Sequence, residues 1–158
     1  MQLPSGLRAV TPHARTVPAA GHDVKPSGTL VFSGKGSSRD QATVDVRPKG
    51  ISLGDHFLGS ETLRQAGALA GRMEADCVVI DRRFQGQACS LTLILKEGQV
   101  SAQGAGVDKR IPGVGGTTAP TGDDYAIAGG TGAYQGAAGT LRVKSTPTSD
   151  TVTILFSP

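Results

Sequence analysis

The feature that most constrains this chain is a series of short apolar alternations separated by glycine-rich turns. Every second residue is apolar in Ala42/Val44/Val46, in Cys89/Leu91/Leu93/Leu95 and in Val152/Ile154/Phe156. A period of two is typical of a β-strand that buries one face. The chain also contains 23 glycines, and tight hairpins need the positive φ that glycine adopts freely. The pattern therefore predicts an all-β protein.

Candidate strands recur along most of the chain. They are residues 29–33, 42–48, 51–58, 72–81, 88–96, 99–105, 125–129, 138–146 and 150–156. Their spacing of roughly ten residues favours a barrel or sandwich, and we expect a single small closed antiparallel β-barrel of about eight strands. Only residues 59–70 look briefly helical. Residues 1–27 are proline-containing and without periodicity, so we expect a flexible or draped tail before a barrel domain at 28–158.

Composition argues against several classes of partner. The net charge is +3, the basic residues are scattered, and tryptophan is absent, so the stacking platform and basic groove of a nucleic-acid-binding protein are not expected. No apolar stretch approaches the ~20 residues of a membrane span. The first residues lack the apolar run of a signal peptide. We expect a cytoplasmic protein from the chain as it stands, and a secreted one if a signal peptide has been removed.

Metal chemistry is not expected either. The three histidines, His13, His22 and His56, lie too far apart for a metal triad, and no HxH or HxxxH spacing occurs. We predict no metal and no cofactor.

Four segments carry a resemblance to a known family. Residues 126–143, AIAGGTGAYQGAAGTLRV, resemble the glycine-rich block of allene oxide cyclases and dirigent proteins, in which a strand ends in a Gly-Gly-(Thr/Ser)-Gly turn. Residues 52–63, 71–81 and 95–104 are similar to upstream segments of allene oxide cyclases, in the same order. The resemblance runs from about residue 40 to residue 156 and identifies the chain as a bacterial-type member of this barrel family.

The resemblance implies both a fold and a class of activity. Family members are eight-stranded barrels, often dimers or trimers, that act on small hydrophobic molecules without a cofactor. It suggests a cofactor-free cyclase or isomerase that shapes a small, mostly apolar biosynthetic intermediate, such as a polyketide or a lipid-derived compound, in the barrel cavity. The alternative is a non-enzymatic barrel that binds a hydrophobic ligand and is perhaps exported. Fold alone does not decide between them.

The two cysteines, Cys77 and Cys89, allow three interpretations. If residues 72–81 and 88–96 form a hairpin, the two cysteines face each other and can form a disulfide, as in exported proteins. They can also be two buried thiols that pack as small apolar side chains. By resemblance, Cys77 matches the cavity cysteine of allene oxide cyclases, which makes it a candidate catalytic residue.

Two aspartates complete the catalytic candidates. Asp55 falls on the alternation of Ile51, Leu53 and Phe57, where an apolar setting raises a carboxyl pKa and suits a general acid. The alternative for Asp55 is a hydrogen bond to turn backbone near Gly54. Allene oxide cyclases carry on their first barrel strand a glutamate that stabilises positive charge, and Asp45 is the nearest carboxylate by that resemblance.

The cavity itself is predicted from the inward face of the strands. Several alanines and glycines fall within strands, among them Ala102, Ala126 and Ala128, and leave room for a ligand. We expect residues 109–124 to lie near the cavity mouth as a lid. The residues expected to contact the ligand are Phe57, Val79, Leu91, Leu93, Tyr125, Ile127 and Tyr134.

Overall fold

The computed structural model of the chain describes residues 26–82, 86–107, 123–146 and 148–158. They form eight strands: β1 (Gly28–Val44), β2 (His56–Gln65), β3 (Ala68–Asp81), β4 (Gly86–Leu95), β5 (Gly98–Val107), β6 (Asp123–Gly130), β7 (Gly139–Ser145) and β8 (Asp150–Phe156). Each strand pairs antiparallel with the next, and β8 pairs with β1, so the sheet closes on itself. The prediction of a closed eight-stranded barrel is confirmed.

The inward face of the strands forms one hydrophobic core. The alternation of Leu91, Leu93 and Leu95 places all three side chains inside the barrel. Six large side chains are fully buried, and burial of each contributes about 1.5–3 kcal/mol. These residues come from five different strands: Leu63, Leu93, Val100, Leu141, Val152 and Ile154.

The segment 59–70, expected to be briefly helical, is instead a β-hairpin. β2 and β3 pair through Gln65 and Ala68, and Ala66 and Gly67 form the turn with φ of 48° and 84°. Positive φ at two successive residues is the conformation of a tight hairpin turn. Side-chain burial here alternates with a period of two residues, as in a strand, because Leu63 is fully buried between the exposed Thr62 and Arg64. The helical interpretation was wrong.

The first two predicted strands are one long strand that contains a bulge. In β1, Gly36 pairs with Glu61 and Gln41 pairs with Gly59, so residues 37–40 stand opposite the single residue Ser60 of β2. The predicted strand 51–58 was wrong over its first part. Residues 45–55 form a loop, and β2 begins at His56.

Two predicted segments lie mainly outside the described residues. They are residues 1–25 of the predicted tail and residues 109–122 of the predicted lid. The described part of the barrel domain begins its first strand at Gly28, where the tail was expected to end. Among the described residues, no helix is long and apolar enough to cross a bilayer.

Candidate functional site

A row of five paired, inward-facing positions crosses the barrel, and three of them hold glycine or alanine. Gly59 of β2 pairs with Ala75 of β3, Ala75 with Leu91 of β4, Leu91 with Ala102 of β5, and Ala102 with Ile127 of β6. A Cβ placed on Gly59 would have no heavy atom of the described residues within 4 Å beyond its chain neighbours. The free space beside Gly59 is a depression open to solvent, and its lining also includes Asp40, Gln41, Ala42, Leu58, Ser60, Glu74 and Ala75.

Glu61 is a buried acidic residue on the same inward face. It occupies the next inward position of β2 after Gly59, pairs across the sheet with Met73, and is 8% exposed. Its neighbour on that face, Leu63, is fully buried. A carboxyl in such apolar surroundings loses solvation, which disfavours its charged form.

A second carboxyl reaches Glu61 across strand β1. Gly34 of β1 pairs with Leu63 of β2 on one side and with Asp150 of β8 on the other. Because Gly34 has no side chain, the carboxyls of Glu61 and Asp150 can approach each other there and form a hydrogen bond. A Cβ on Gly34 would lie 2.5 Å from Oε2 of Glu61, so any larger residue would displace this carboxyl.

The carboxyl pair holds a proton at neutral pH. Burial, together with the hydrogen bond and the negative charge of Asp150, raises the pKa of Glu61 to about 8. A buried carboxyl beside a second carboxylate is costly to ionise, so Glu61 keeps its proton. Oε1 of Glu61 is buried and has no hydrogen-bond partner among the described residues. An unsatisfied buried polar atom costs about 1–3 kcal/mol, which marks this position as a functional candidate.

Sequence reasoning missed Glu61 because residues 59–70 were interpreted as helical. The signal was nonetheless present in the alternation Phe57/Gly59/Glu61/Leu63, which continues along β2. Gly34 and Asp150 are distant in sequence, and only strand pairing brings them beside Glu61.

Asp55 is buried, but its carboxylate is engaged by the loop before β2. It accepts hydrogen bonds from the backbone N–H of Val46 (2.8 Å) and Ser52 (2.8 Å), and from Ser52 Oγ (3.0 Å). The Ser52 backbone hydrogen bond is the main cause that lowers the Asp55 pKa, against the opposing effect of desolvation. The raised pKa that suits a general acid is therefore not found, because these hydrogen bonds to the carboxylate outweigh its desolvation, and Ile51 and Leu53 are exposed. This arrangement matches the alternative of an aspartate bound to turn backbone.

The other two catalytic candidates are placed away from Glu61. Asp45 is exposed beyond the end of β1, where its carboxylate accepts a hydrogen bond from Gly50 N–H at 3.3 Å. Cys77 and Cys89 are directly paired on β3 and β4 and form a disulfide, with Cα atoms 4.0 Å apart. The expected hairpin is confirmed, although the separation lies below the usual range of about 4.4–6.8 Å. A disulfide leaves no thiol on Cys77, which removes the catalytic role suggested for it.

The residues predicted to contact a ligand occupy several parts of the barrel. Leu91, Leu93, Tyr125 and Ile127 belong to the buried core, and Val79 is buried near the Asp55 loop. Phe57 is partly buried on the inward face of β2, next to Gly59. The remaining residue of this set lies on the short helix after β6, where the ring of Tyr134 stacks on Phe156 with centroids 6.1 Å apart.

The small residues divide between the inside and the outside of the barrel. Ala102 is 3% exposed, whereas Ala126 and Ala128 are exposed on the outer face of β6. The expectation that Ala126 or Ala128 points inward was wrong, because Tyr125 and Ile127 take the inward positions. The Tyr125 ring lies close over Gly104, since a Cβ on that glycine would be 3.1 Å from its Cδ1.

Within the described ranges, no group of three or more histidine, cysteine, aspartate or glutamate residues is arranged to hold a metal ion. The Glu61–Asp150 pair provides two carboxyls that already hydrogen-bond to each other. What this pair offers chemically is a proton in a dry, apolar setting.

Solved structures of known proteins share the fold of this chain. No protein-family model and no curated protein matches the chain. Among solved structures, a pyocyanin demethylase is similar with a TM-score of 0.67 and 22% identity, over 82% of this chain and 100% of that one. An exo-specific intermolecular Diels-Alderase is similar with a TM-score of 0.61 and 15% identity, over 80% of this chain and 95% of that one.

A pterocarpan synthase dirigent protein covers more of the chain. Its TM-score is 0.59 and its identity 17%, over 95% of this chain and 94% of that one. At these identities the likeness concerns the fold. The chain therefore has the dirigent-like, eight-stranded barrel fold that its glycine-rich block predicted.

Proposed function

We propose that this protein is a cofactor-free cyclase or isomerase that shapes a small, mostly apolar biosynthetic intermediate inside the barrel. The observation that carries the proposal is the buried carboxyl of Glu61 on the inward face of the barrel, which burial and the nearby Asp150 keep protonated at neutral pH. A carboxyl that keeps its proton to about pH 8 is a general acid at neutral pH, and such a group contributes roughly 10²- to 10⁴-fold to a rate.

The surroundings of Glu61 suit this chemistry. Leu91, Ala102 and Ile127 are buried apolar residues that a ligand inside the barrel would contact, and a dry interior would strengthen the effect of a single proton donor. A rigid barrel also holds a flexible substrate in a folded geometry, which lowers the entropic part of a cyclisation barrier. The proposed division of labour is that Glu61 supplies the proton, Asp150 holds Glu61 in place, and the buried apolar residues shape the substrate.

The similar solved structures support the same class by analogy. One is named as a Diels-Alderase, one as a pterocarpan synthase dirigent protein and one as a pyocyanin demethylase. These names describe reactions of small organic molecules on a shared barrel. The analogy gives a reaction class to test, and the carboxyl pair gives the residues.

The test is conversion of a panel of small apolar enones, dienes and epoxides, followed by mass spectrometry. We expect the wild type to convert at least one member, and Glu61→Gln to lower that rate about 100-fold because the amide donates no acid proton. The wild-type rate should fall as the pH rises above about 8, where Glu61 loses its proton.

Two size variants provide the matched control for this test. Ala102→Phe should fill the interior and block binding, whereas Ala126→Phe, on the outer face, should leave conversion unchanged. An unchanged rate in Glu61→Gln would remove Glu61 from the mechanism. Equal activity of both alanine variants would contradict a site inside the barrel.

A second candidate function is a non-enzymatic barrel that binds a hydrophobic ligand. The Cys77–Cys89 disulfide favours it, because disulfides persist in oxidising, extracellular settings, as expected for an exported binder. Binding of panel members that is blocked by Ala102→Phe, without conversion of any of them, would select this candidate.

A further inference from the structure

Exposed aliphatic side chains gather at one end of the barrel. The loop of residues 45–55 joins β1 to β2, and β3 ends at the same end of the barrel, because His56 pairs with Val78. Single exposed aliphatic residues are ordinary, but a group of them bordered by polar residues marks an interaction surface. Four such residues, which we call the apolar rim, are 38–59% exposed at this end: Val46, Ile51, Leu53 and Ile80.

Hydrogen bonds of the loop hold the apolar rim in place. Ser52 and Gly54 flank Leu53 in the chain. Ser52 Oγ donates to the carbonyl oxygen of Val46 at 2.7 Å, and the N–H of Gly54 donates to the carbonyl oxygen of Val79 at 2.9 Å. The members of the rim adjoin or include these bonded residues, so the loop brings them to one surface. A surface that is already ordered loses little conformational entropy when it binds.

Cationic side chains border the apolar rim. Arg47 and Lys49 belong to the same loop, and Arg82 follows β3. All three are exposed, and none forms an ion pair with another residue that the structure describes. The acidic residues near them already have partners, and they are Asp45, Asp55 and Asp81. The three cations therefore remain available to an anionic partner.

A second copy of the chain fits this surface less well than a lipid bilayer does. In a symmetric pair the same patch meets itself, which brings the three cations of one copy toward those of the other, and like charges oppose association. A bilayer that contains anionic lipids accepts aliphatic side chains at the boundary between headgroups and acyl chains, and it attracts arginine and lysine to its surface.

We propose that this end of the barrel docks on an anionic lipid surface. The apolar rim enters the boundary between headgroups and acyl chains, and Arg47, Lys49 and Arg82 lie against the lipid phosphates. The inference is independent of the proposed function, because it uses neither Glu61 nor Asp150. Docking of this kind would hold the barrel where small apolar molecules accumulate.

The test is co-sedimentation of the full chain with vesicles of phosphatidylcholine that contain about 30% phosphatidylglycerol, at low salt, where charges are screened least. We expect binding to these vesicles and much weaker binding to pure phosphatidylcholine. Leu53→Ser should lower the partition coefficient about tenfold, because it removes the most exposed member of the rim. The double variant Arg47→Gln/Lys49→Gln should lower it about 25-fold, or about fivefold for each cation.

Matched controls lie at the opposite end of the barrel. Leu69 is 70% exposed near the start of β3, and Lys96 is exposed in the turn between β4 and β5. Leu69→Ser and Lys96→Gln should bind the charged vesicles like the wild type. Thermal unfolding of each variant shows that it is folded before it is mixed with lipid.

Three results would overturn lipid docking. One is a wild type that does not bind the charged vesicles, and another is equal binding to charged and uncharged vesicles. The third is a loss in Leu69→Ser as large as that in Leu53→Ser. Sedimentation velocity without lipid tests the rival occupant: a wild-type dimer that Leu53→Ser converts to a monomer would assign the apolar rim to a second copy of the chain.

Discussion

Glu61 links folding to pH through a single side chain. Its pKa rises from an ordinary value of 4.5 to about 8 in the folded protein. Between these values the folded state binds one more proton than the unfolded state, so the free energy of unfolding falls as the pH rises. Below about 4.5 both states are protonated, and this contribution to stability is fully present.

We therefore expect the urea concentration at the unfolding midpoint to decrease as the pH rises from about 4.5 to about 8. Glu61→Gln should flatten the decrease, because glutamine does not titrate, whereas Glu74→Gln at an exposed site should preserve it. A wild-type profile that is level across the window would show that Glu61 titrates normally in the folded barrel.

The β2–β3 hairpin carries strain that can be removed at one residue. Ala66 adopts φ of 48° in the turn, a left-handed conformation that costs a non-glycine residue about 1–2 kcal/mol. Asparagine followed by glycine is the favoured sequence for two-residue turns with positive φ. We expect Ala66→Asn to increase the free energy of unfolding by about 0.5–1 kcal/mol, measured by urea titration.

The control for the hairpin is an alanine in extended backbone. Ala128 lies exposed within β6, where asparagine is disfavoured, so Ala128→Asn should give no gain. A loss of stability in Ala66→Asn would mean that the turn does not have this conformation in solution. It would also weaken the register that places Glu61 inside the barrel.

The closed barrel makes the disulfide a stabiliser of the whole molecule and not a condition for its fold. Cys77 and Cys89 lie on strands that already pair, 12 residues apart. Cross-linking a loop of this size lowers the entropy of the unfolded chain, which stabilises the folded state by about 3 kcal/mol. We expect the double variant Cys77→Ala/Cys89→Ala to lose about that amount in urea titrations.

The same double variant should keep its strand content. Eight ladders close the barrel without the disulfide, and Glu61 approaches Asp150 across β1, away from β4. A double variant that is unfolded at neutral pH would contradict this account. Reduced wild type provides the matched comparison, since it lacks the cross-link but retains both sulfur atoms.

The sequence by itself determined the architecture. Alternation in segments such as Cys89/Leu91/Leu93/Leu95 reports which face of a strand is buried, and glycine-rich segments report turns, because both are local properties. These local signals predicted the all-β class, the closed barrel of about eight strands and the hairpin that joins Cys77 to Cys89. They misread residues 59–70, where a short apolar pattern fits a helical turn as well as a strand.

Tertiary structure alone decided the candidate site. Asp55 looked buried and acidic in sequence, but the loop before β2 engages its carboxylate through Val46 and Ser52. Glu61, Gly34 and Asp150 lie on three strands, and no local pattern relates them. Closure of the sheet between β8 and β1 places Gly34 between the two acids, and the missing side chain lets their carboxyls meet. Burial then holds the proton on Glu61, because a desolvated carboxyl beside a second one disfavours charge.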